Sequence, residues 1–186
     1  MAAPGRVVGV AESYDSAEST LAAAVLRRDR AVDGLAFTRC TVGGTDATDA
    51  IVRLVADLER PDAQFLFVAG IAPAWFNLLD LHALADCLDR PVISVSFESS
   101  PGLDGALRRE FDGDALADRL AVYERQPPRH ELRVAGNQLW IRAVGCPPDR
   151  ASEAVRVFTP EGGRPEPLRV ARLAARAGDA LVRSDS

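Results

Sequence analysis

The chain has 186 residues, 47% of them hydrophobic, and a net charge of −5; that length suits one domain with a full core. No apolar run reaches the length of a bilayer span, and the start MAAPGRVVGV lacks a charged region followed by a long apolar one, so the sequence reads as neither membrane-spanning nor secreted and is expected in the cytoplasm. All 22 basic residues are arginine, a bias expected of a GC-rich, salt-adapted genome, and a mildly acidic chain still binds nucleic acid where its arginines gather on one face.

In chain order, Arg6–Glu12, Thr20–Arg27 and Val32–Val42 read as three strands, the last two joined by the polar link Arg28–Asp29–Arg30 as a hairpin. The period then changes. Ala47, Ile51, Leu54, Val55 and Leu58 recur at helical spacing, with Thr45 or Asp46 as the cap. A buried strand Gln64–Ala69, a helix near Leu81–Leu88 and a strand Pro91–Phe97 follow, and a right-handed crossover makes those strands parallel. Leu103–Phe111 and Ala115–Gln126 read as helices interrupted at Gly113. His130–Ala135 and Gln138–Val144 form a hairpin around Gly136–Asn137. Ser152–Phe158 is a short helix, Thr159–Pro167 a Gly/Pro loop, and Leu168–Val182 an amphipathic helix with an apolar stripe of Val170, Leu173, Ala174, Ala177 and Leu181.

Three strands and then helix, strand, helix, strand is the element order of a ribonuclease H-like α/β fold. Its five-stranded mixed sheet sets strand 1 beside strand 4, flanked by helices. The expected organisation is one domain over 1–186, with a core of about 6–126 and an extension of about 127–186 carrying the hairpin and last helix. Ligands of open α/β sheets bind beyond the carboxyl ends of the strands, which directs attention to the turn after Gln64–Ala69. Gly70 to Asp80 places Trp75, Phe76, Asn77 and Asp80 there, although a strand-to-helix turn needs only a glycine and a cap. Trp75 and Phe76 suit stacking on a displaced base, and Asn77 suits a base edge or the turn itself. Burial of Phe76 under the helix is the competing reading. Arg169, Arg172 and Arg176 share one helix face and carry guanidinium forks suited to phosphate. Glu166 stands between two prolines, as a charge favoured at the helix start or as an additional metal ligand. Cys40, Cys87 and Cys146 are odd in number and lack zinc spacing, and His82 and His130 form no cluster.

Four segments carry a resemblance to the archaeal endonuclease dU family, which is related to endonuclease V: VVGVAES at Val7–Ser13, VGGTDATDAI at Val42–Ile51, VAGIAPAWFNLLDL at Val68–Leu81 and TPEGGRPEPLRVARLAA at Thr159–Ala175. The resemblance covers at least Arg6 to Ala175. It implies a ribonuclease H-like fold and cleavage of DNA at deoxyuridine with a divalent metal, Mg2+ or Mn2+. Phosphodiester hydrolysis of this kind needs an activated water and a clamp on the developing charge. Glu12, Asp46 and Asp80 are then the candidate carboxylates, for catalysis and for metal binding alike, while Gly43–Gly44–Thr45 is a candidate phosphate loop. Each has a plainer reading: a solvated strand end for Glu12, and helix caps for Asp46 and Asp80. One departure from the family pattern stands out. Where the family carries two adjacent acids after strand 1, this chain has Ala11 and Glu12, so Glu12 must take over with its longer side chain or catalysis is impaired. Two rival functions follow, a nucleic-acid-binding module without cleavage and a small-molecule α/β protein with its ligand at the turn.

Overall fold

The computed structural model describes residues 3–15, 17–161 and 163–184. Strands β1 Arg6–Tyr14, β2 Glu18–Arg27 and β3 Val32–Thr41 form an antiparallel meander. Beyond β1, strands β4 Leu66–Ala69 and β5 Val92–Ser96 run parallel to it. The expected mixed α/β architecture is present, but the sheet has seven strands, in the order β3-β2-β1-β4-β5-β7-β6. The hairpin β6 His130–Val134 and β7 Asn137–Val144 joins this same sheet, with β7 antiparallel to β5 from Val92↔Val144 to Ser96↔Trp140. The physical reason lies in β5, whose first four residues are all buried. A strand buried on both faces makes a poor edge, and the hairpin covers it.

Helices lie on both faces of the sheet. On one, α1 Ala47–Asp57 and α3 Leu81–Leu88 pack with Val8, Val10, Leu66 and Val68. On the other, α6 Pro148–Val157 and α7 Glu166–Ser184 pack with Val7, Ala11, Phe65 and Phe67. The alternation of strand side chains separates the two cores. Strand β2, next to the edge strand β3, is buried along eight of its ten residues, three of them successive alanines, and such small side chains let helices approach both faces. The helices α4 Asp104–Glu110 and α5 Gly113–Glu124 precede the hairpin, and Gly113 begins α5 at φ 52° instead of breaking it.

The last helix departs from the expected stripe. Its buried residues are Pro167, Leu168, Ala171, Ala175 and Asp179, while Leu173 and Leu181 are 53% and 64% exposed. Close approach decides this. The helix start sits directly on Gly9 of β1, where an added Cβ would lie 2.4 Å from the Pro167 carbonyl oxygen. Leu168, Ala171 and Ala175 present a surface small enough to follow that contact across β1 and β2. Gly9→Ala is therefore expected to destabilise the fold by about 1–3 kcal/mol through overpacking. Urea unfolding checks this, with Gly5→Ala as a control, because a Cβ there meets only the Gln64 side chain at 3.9 Å.

Candidate functional site

The carboxyl ends of β1, β4 and β5 form one rim. Val10 pairs with Val68 and Val68 with Ser94. Carrying the register two residues on sets Glu12, Gly70 and Ser96 on one row, with the outer Cα atoms about 10 Å apart at ordinary strand spacing. All three lie on the face of α1. Gly70 adopts φ 76° with nothing within 4 Å of a would-be Cβ, so the backbone is bare at the centre of the row. Beside it opens a cleft of about 220 Å3 lined by Ser94, Ser96, Ser100, Tyr123, Arg129 and Arg142. Arg129 donates to Glu98 O at 2.9 Å and lies over the Trp140 ring at 5.2 Å, while its Nε is buried without a partner. Arg142 donates to Pro127 O; burial chiefly holds its guanidinium below the usual range, and the like charge of Arg129 adds to this.

The strand alternation also settles the relation of Ala11 to Glu12. Ala11 is buried on the α7 face, whereas Glu12 points to the α1 face. The longer side chain of Glu12 therefore does not stand in for an acid at position 11. Glu12 accepts a 2.8 Å hydrogen bond from Ser19 Oγ through Oε2, and no described residue bonds Oε1. Cys40 pairs with Ser19 in the sheet; burial, then the charges of Asp46 and Glu12, push its thiol up to about 12, so it stays protonated.

Asp46 and Asp80 serve local structure. Asp46 accepts from Thr41 N at 3.1 Å, Thr41 Oγ1 at 3.0 Å and Asn77 Nδ2 at 2.7 Å. These donors hold its carboxyl below the usual value despite burial. Its side chain does not cap α1; that bond comes from Asn77 Oδ1, which accepts from Ala47 N at 3.0 Å. Asp80 caps α3 through His82 N and Ala83 N, both at 3.1 Å, and pairs with Arg125 at 2.6 Å. Among the described residues no group of three or more His, Cys, Asp or Glu side chains gathers to hold a metal. The expected convergence of Glu12, Asp46 and Asp80 on a shared cation is thus corrected. Two of the three carboxylates are consumed by backbone and amide donors.

The turn is built differently from the expectation as well. Ala74, Trp75 and Phe76 all take left-handed φ, 48°, 55° and 58°, a conformation that costs on the order of 1–3 kcal/mol per non-glycine residue. Asn77 is fully buried and spends its Nδ2 on Thr41 O at 2.8 Å as well as on Asp46, so it is closed to a base edge. Phe76 is half-buried between Trp75 and Phe111, with centroids 5.3 and 6.0 Å away. Only Trp75, 49% exposed, stands out from the surface. The Gly43–Gly44 loop does not present free amides to a phosphate. Gly43 N donates to Ala74 O and Gly44 N to Thr41 O, and Arg119, 6% exposed, donates to both glycine carbonyls and to Phe76 O.

On the α7 face the arginines divide. Arg169 pairs with Glu166 at 2.6 Å, which occupies both candidates. Arg172 and Arg176 lie close enough to Arg164 to lower its pKa, after burial. Arg164 stacks over Phe97, at the end of β5, 4.0 Å from the ring centroid. Arg164 escaped the sequence reading because it lies in a loop that reads as a connector. The cleft residues left a signal in PVISVSF, where Ser94 and Ser96 alternate with apolar residues and so mark one polar face.

A mixed sheet of this topology, with hydroxyl and guanidinium groups gathered at the carboxyl rim, defines a ribonuclease H-like protein. The profile of the endonuclease dU family matches residues 4–178, and the chain belongs to that family. A UPF0215 protein of Pyrobaculum calidifontis is 34% identical over 172 residues, covering 90% of this chain and 93% of its own. One of Thermococcus gammatolerans is 34% identical over 182 residues, covering 92% and 91%. Among solved structures, a protein of unknown function from Archaeoglobus fulgidus superposes with TM-score 0.82 at 26% identity, covering 92% of this chain and 96% of its own. Endonuclease V of Ciona intestinalis, in complex with an inosine-containing DNA, superposes with TM-score 0.66 at 12% identity over 96% and 87%.

The cap at Asp80 gives a pH-dependent expectation. Burial acts to raise its pKa, but the Ala83 and His82 N–H groups and Arg125 outweigh it and hold the folded value below 3.8. Its stabilisation is therefore full above pH about 4 and lost as pH falls through the depressed value. Asp80→Ala should cost about 1 kcal/mol at pH 7, and the gap from the parent should close in unfolding curves taken toward pH 2.

Proposed function

We propose that this protein is an endonuclease that acts on DNA at deoxyuridine or another altered base. The observation that carries the reading is the carboxyl rim of β1, β4 and β5, where Glu12, the bare Gly70 backbone and the hydroxyl- and arginine-lined cleft stand on one face. A cleft of about 220 Å3 is smaller than sites for drug-sized ligands and suits one extruded base. The serine hydroxyls and arginines supply donors for its carbonyl edges. Trp75, exposed on the turn that begins at Gly70, offers a stacking surface worth on the order of 1–3 kcal/mol per base. Arg164, Arg172 and Arg176 take the backbone phosphates across the rim. Asp46, Asp80, Phe76 and Asn77 act as positioning residues that hold the turn, and Arg169 with Glu166 fixes the start of α7.

The chain's own donors do not fit a preformed cage for Mg2+ or Mn2+, because Asp46 and Asp80 are spent and Ala11 brings no oxygen. The chemistry assigned to the protein is confined to orientation, charge neutralisation by guanidinium groups and proton transfer. The open Oε1 of Glu12 is the rim carboxylate placed to take a proton from an attacking water. A second reading, favoured by Ala11, is a module that binds altered DNA without cutting it. The exposure of Trp75 counts against the small-molecule alternative, since that ring closes no pocket.

A nicking assay on a duplex with a single deoxyuridine, over a range of Mg2+, Mn2+ and salt, separates these. Cleavage should depend on Glu12, falling by 100-fold or more in Glu12→Gln, on the order of a general-base contribution, and should persist in Asp80→Asn. Retained binding with no cleavage by the parent chain selects the binding module. In the same binding assay, Arg172→Ala should lower the slope of log affinity against log salt by about 0.9. An unchanged slope would remove Arg172 from the phosphate-binding set.

A further inference from the structure

The outer edge of β3 is closed at both ends and open in the middle. At one end, Arg60 donates to Asp33 O at 3.0 Å. At the other, Thr41 N donates to Asp46, and Thr41 O accepts from Gly44 N and Asn77. Thr41 thus faces away from β2, and by alternation so do the backbone groups of Leu35, Phe37 and Arg39. No described group bonds these N–H and C=O groups on the outer side. The same three side chains emerge on the α7 face, with Leu35 48% and Phe37 52% exposed. Beside them, Phe37, Ala177, Gly178 and Leu181 line an apolar groove of about 480 Å3. Leu173, Ala177 and Leu181, four residues apart, form the exposed row that the fold itself leaves uncovered. This edge has no proline and no lysine, the usual guards of a lone strand.

We propose that a second copy of this chain covers this edge, giving a two-fold dimer through antiparallel β3–β3 pairing centred on Phe37. The symmetry fits the pattern of open and closed groups. An axis through Phe37 pairs Phe37 with its mate and Leu35 with Arg39 of the other copy. The three outward residues of each copy then exchange six main-chain hydrogen bonds, and no arginine faces an arginine. The same axis sets position 33 opposite 41, so the end closed by the Arg60–Asp33–Asp62 ion pairs of one copy meets the end closed by Asp46 of the other, and neither closed end is asked to pair with an open one. On the α7 face, Leu35, Phe37 and Leu181 of each protomer fill the groove between the two α7 helices. An isologous contact of this kind closes on itself, so it does not propagate into fibres as an open edge would.

The test uses the full chain in light scattering and sedimentation velocity. The parent is expected at twice its 19.9 kDa mass at tens of micromolar, and Phe37→Glu and Leu181→Glu at the single mass. Both positions are solvent-exposed, and unchanged circular dichroism confirms that the variants fold. The register is read by cross-linking in a Cys87→Ser background. Phe37→Cys should form a disulfide with its own mate, because directly paired residues bring Cα atoms within about 5.5 Å. Leu35→Cys should link to Arg39→Cys when the two are mixed, and to itself only weakly. A parent that stays monomeric at 100 µM overturns the proposal, as does a dimer that survives both glutamate variants or a Phe37→Cys chain that fails to cross-link.

Discussion

One buried amide holds the candidate site in place. Asn77 is fully buried; its oxygen takes the first N–H of α1, and its nitrogen serves the last residue of β3 and Asp46. It ties the link between β3 and α1 to a turn some thirty residues further along the chain, and a buried amide left unpaired would cost about 1–3 kcal/mol. Arg119 repeats the tie from the other side, reaching Gly43, Gly44 and Phe76 while stacking 3.9 Å over Phe111. Between these clamps the turn supports three successive left-handed residues that no isolated loop would keep. Trp75 is presented at the surface because of that enforced conformation.

The site is built in layers. Residues that read as chemistry in one dimension, Asp46, Asp80 and Asn77, are the frame. The groups left partly open at the rim are Glu12, Ser96 of β5 and a set of guanidinium groups. Strand alternation is what separates them. A single step along β1 moves a side chain from the α7 core to the α1 face, so the exchange of an acid for Ala11 is not repaired by its neighbour. The arginine- and hydroxyl-bearing side of the rim is thus more fully furnished than its acidic side.

The fold was legible because its cues are local. Short apolar runs bounded by turn residues in β1, β2, β4 and β5, period 3.6 in α1 and the glycine at the hairpin fix each element without reference to the rest. The attachment of β7 to β5 was not legible, since which edge a hairpin covers depends on how apolar that edge is on both faces. The buried side of α7 was misjudged for a related reason. Leucine outranks alanine in any apolar pattern, but the 2.4 Å approach at Gly9 rewards small side chains and turns Leu173 and Leu181 outward. At the candidate site, sequence singled out the turn after β4 and, with Trp75, the aromatic that stands exposed on it. It did not separate caps from free carboxylates, because an aspartate before a helix looks the same in either role. Arg142 was hidden because β7 reads as an ordinary hairpin strand until its pairing with β5 is known, and Arg129 because it sits just before β6 in what reads as a connector.

The rim owes its positive charge to guanidinium alone, in a chain without a single lysine. An ammonium group would begin to lose its proton near pH 10 and would be open to acetylation, whereas an exposed guanidinium such as that of Arg172 or Arg176 carries no amine to acylate. The electrostatic pull of this surface is therefore beyond the reach of the enzymes that neutralise amines. Dissolved salt tunes its strength by screening.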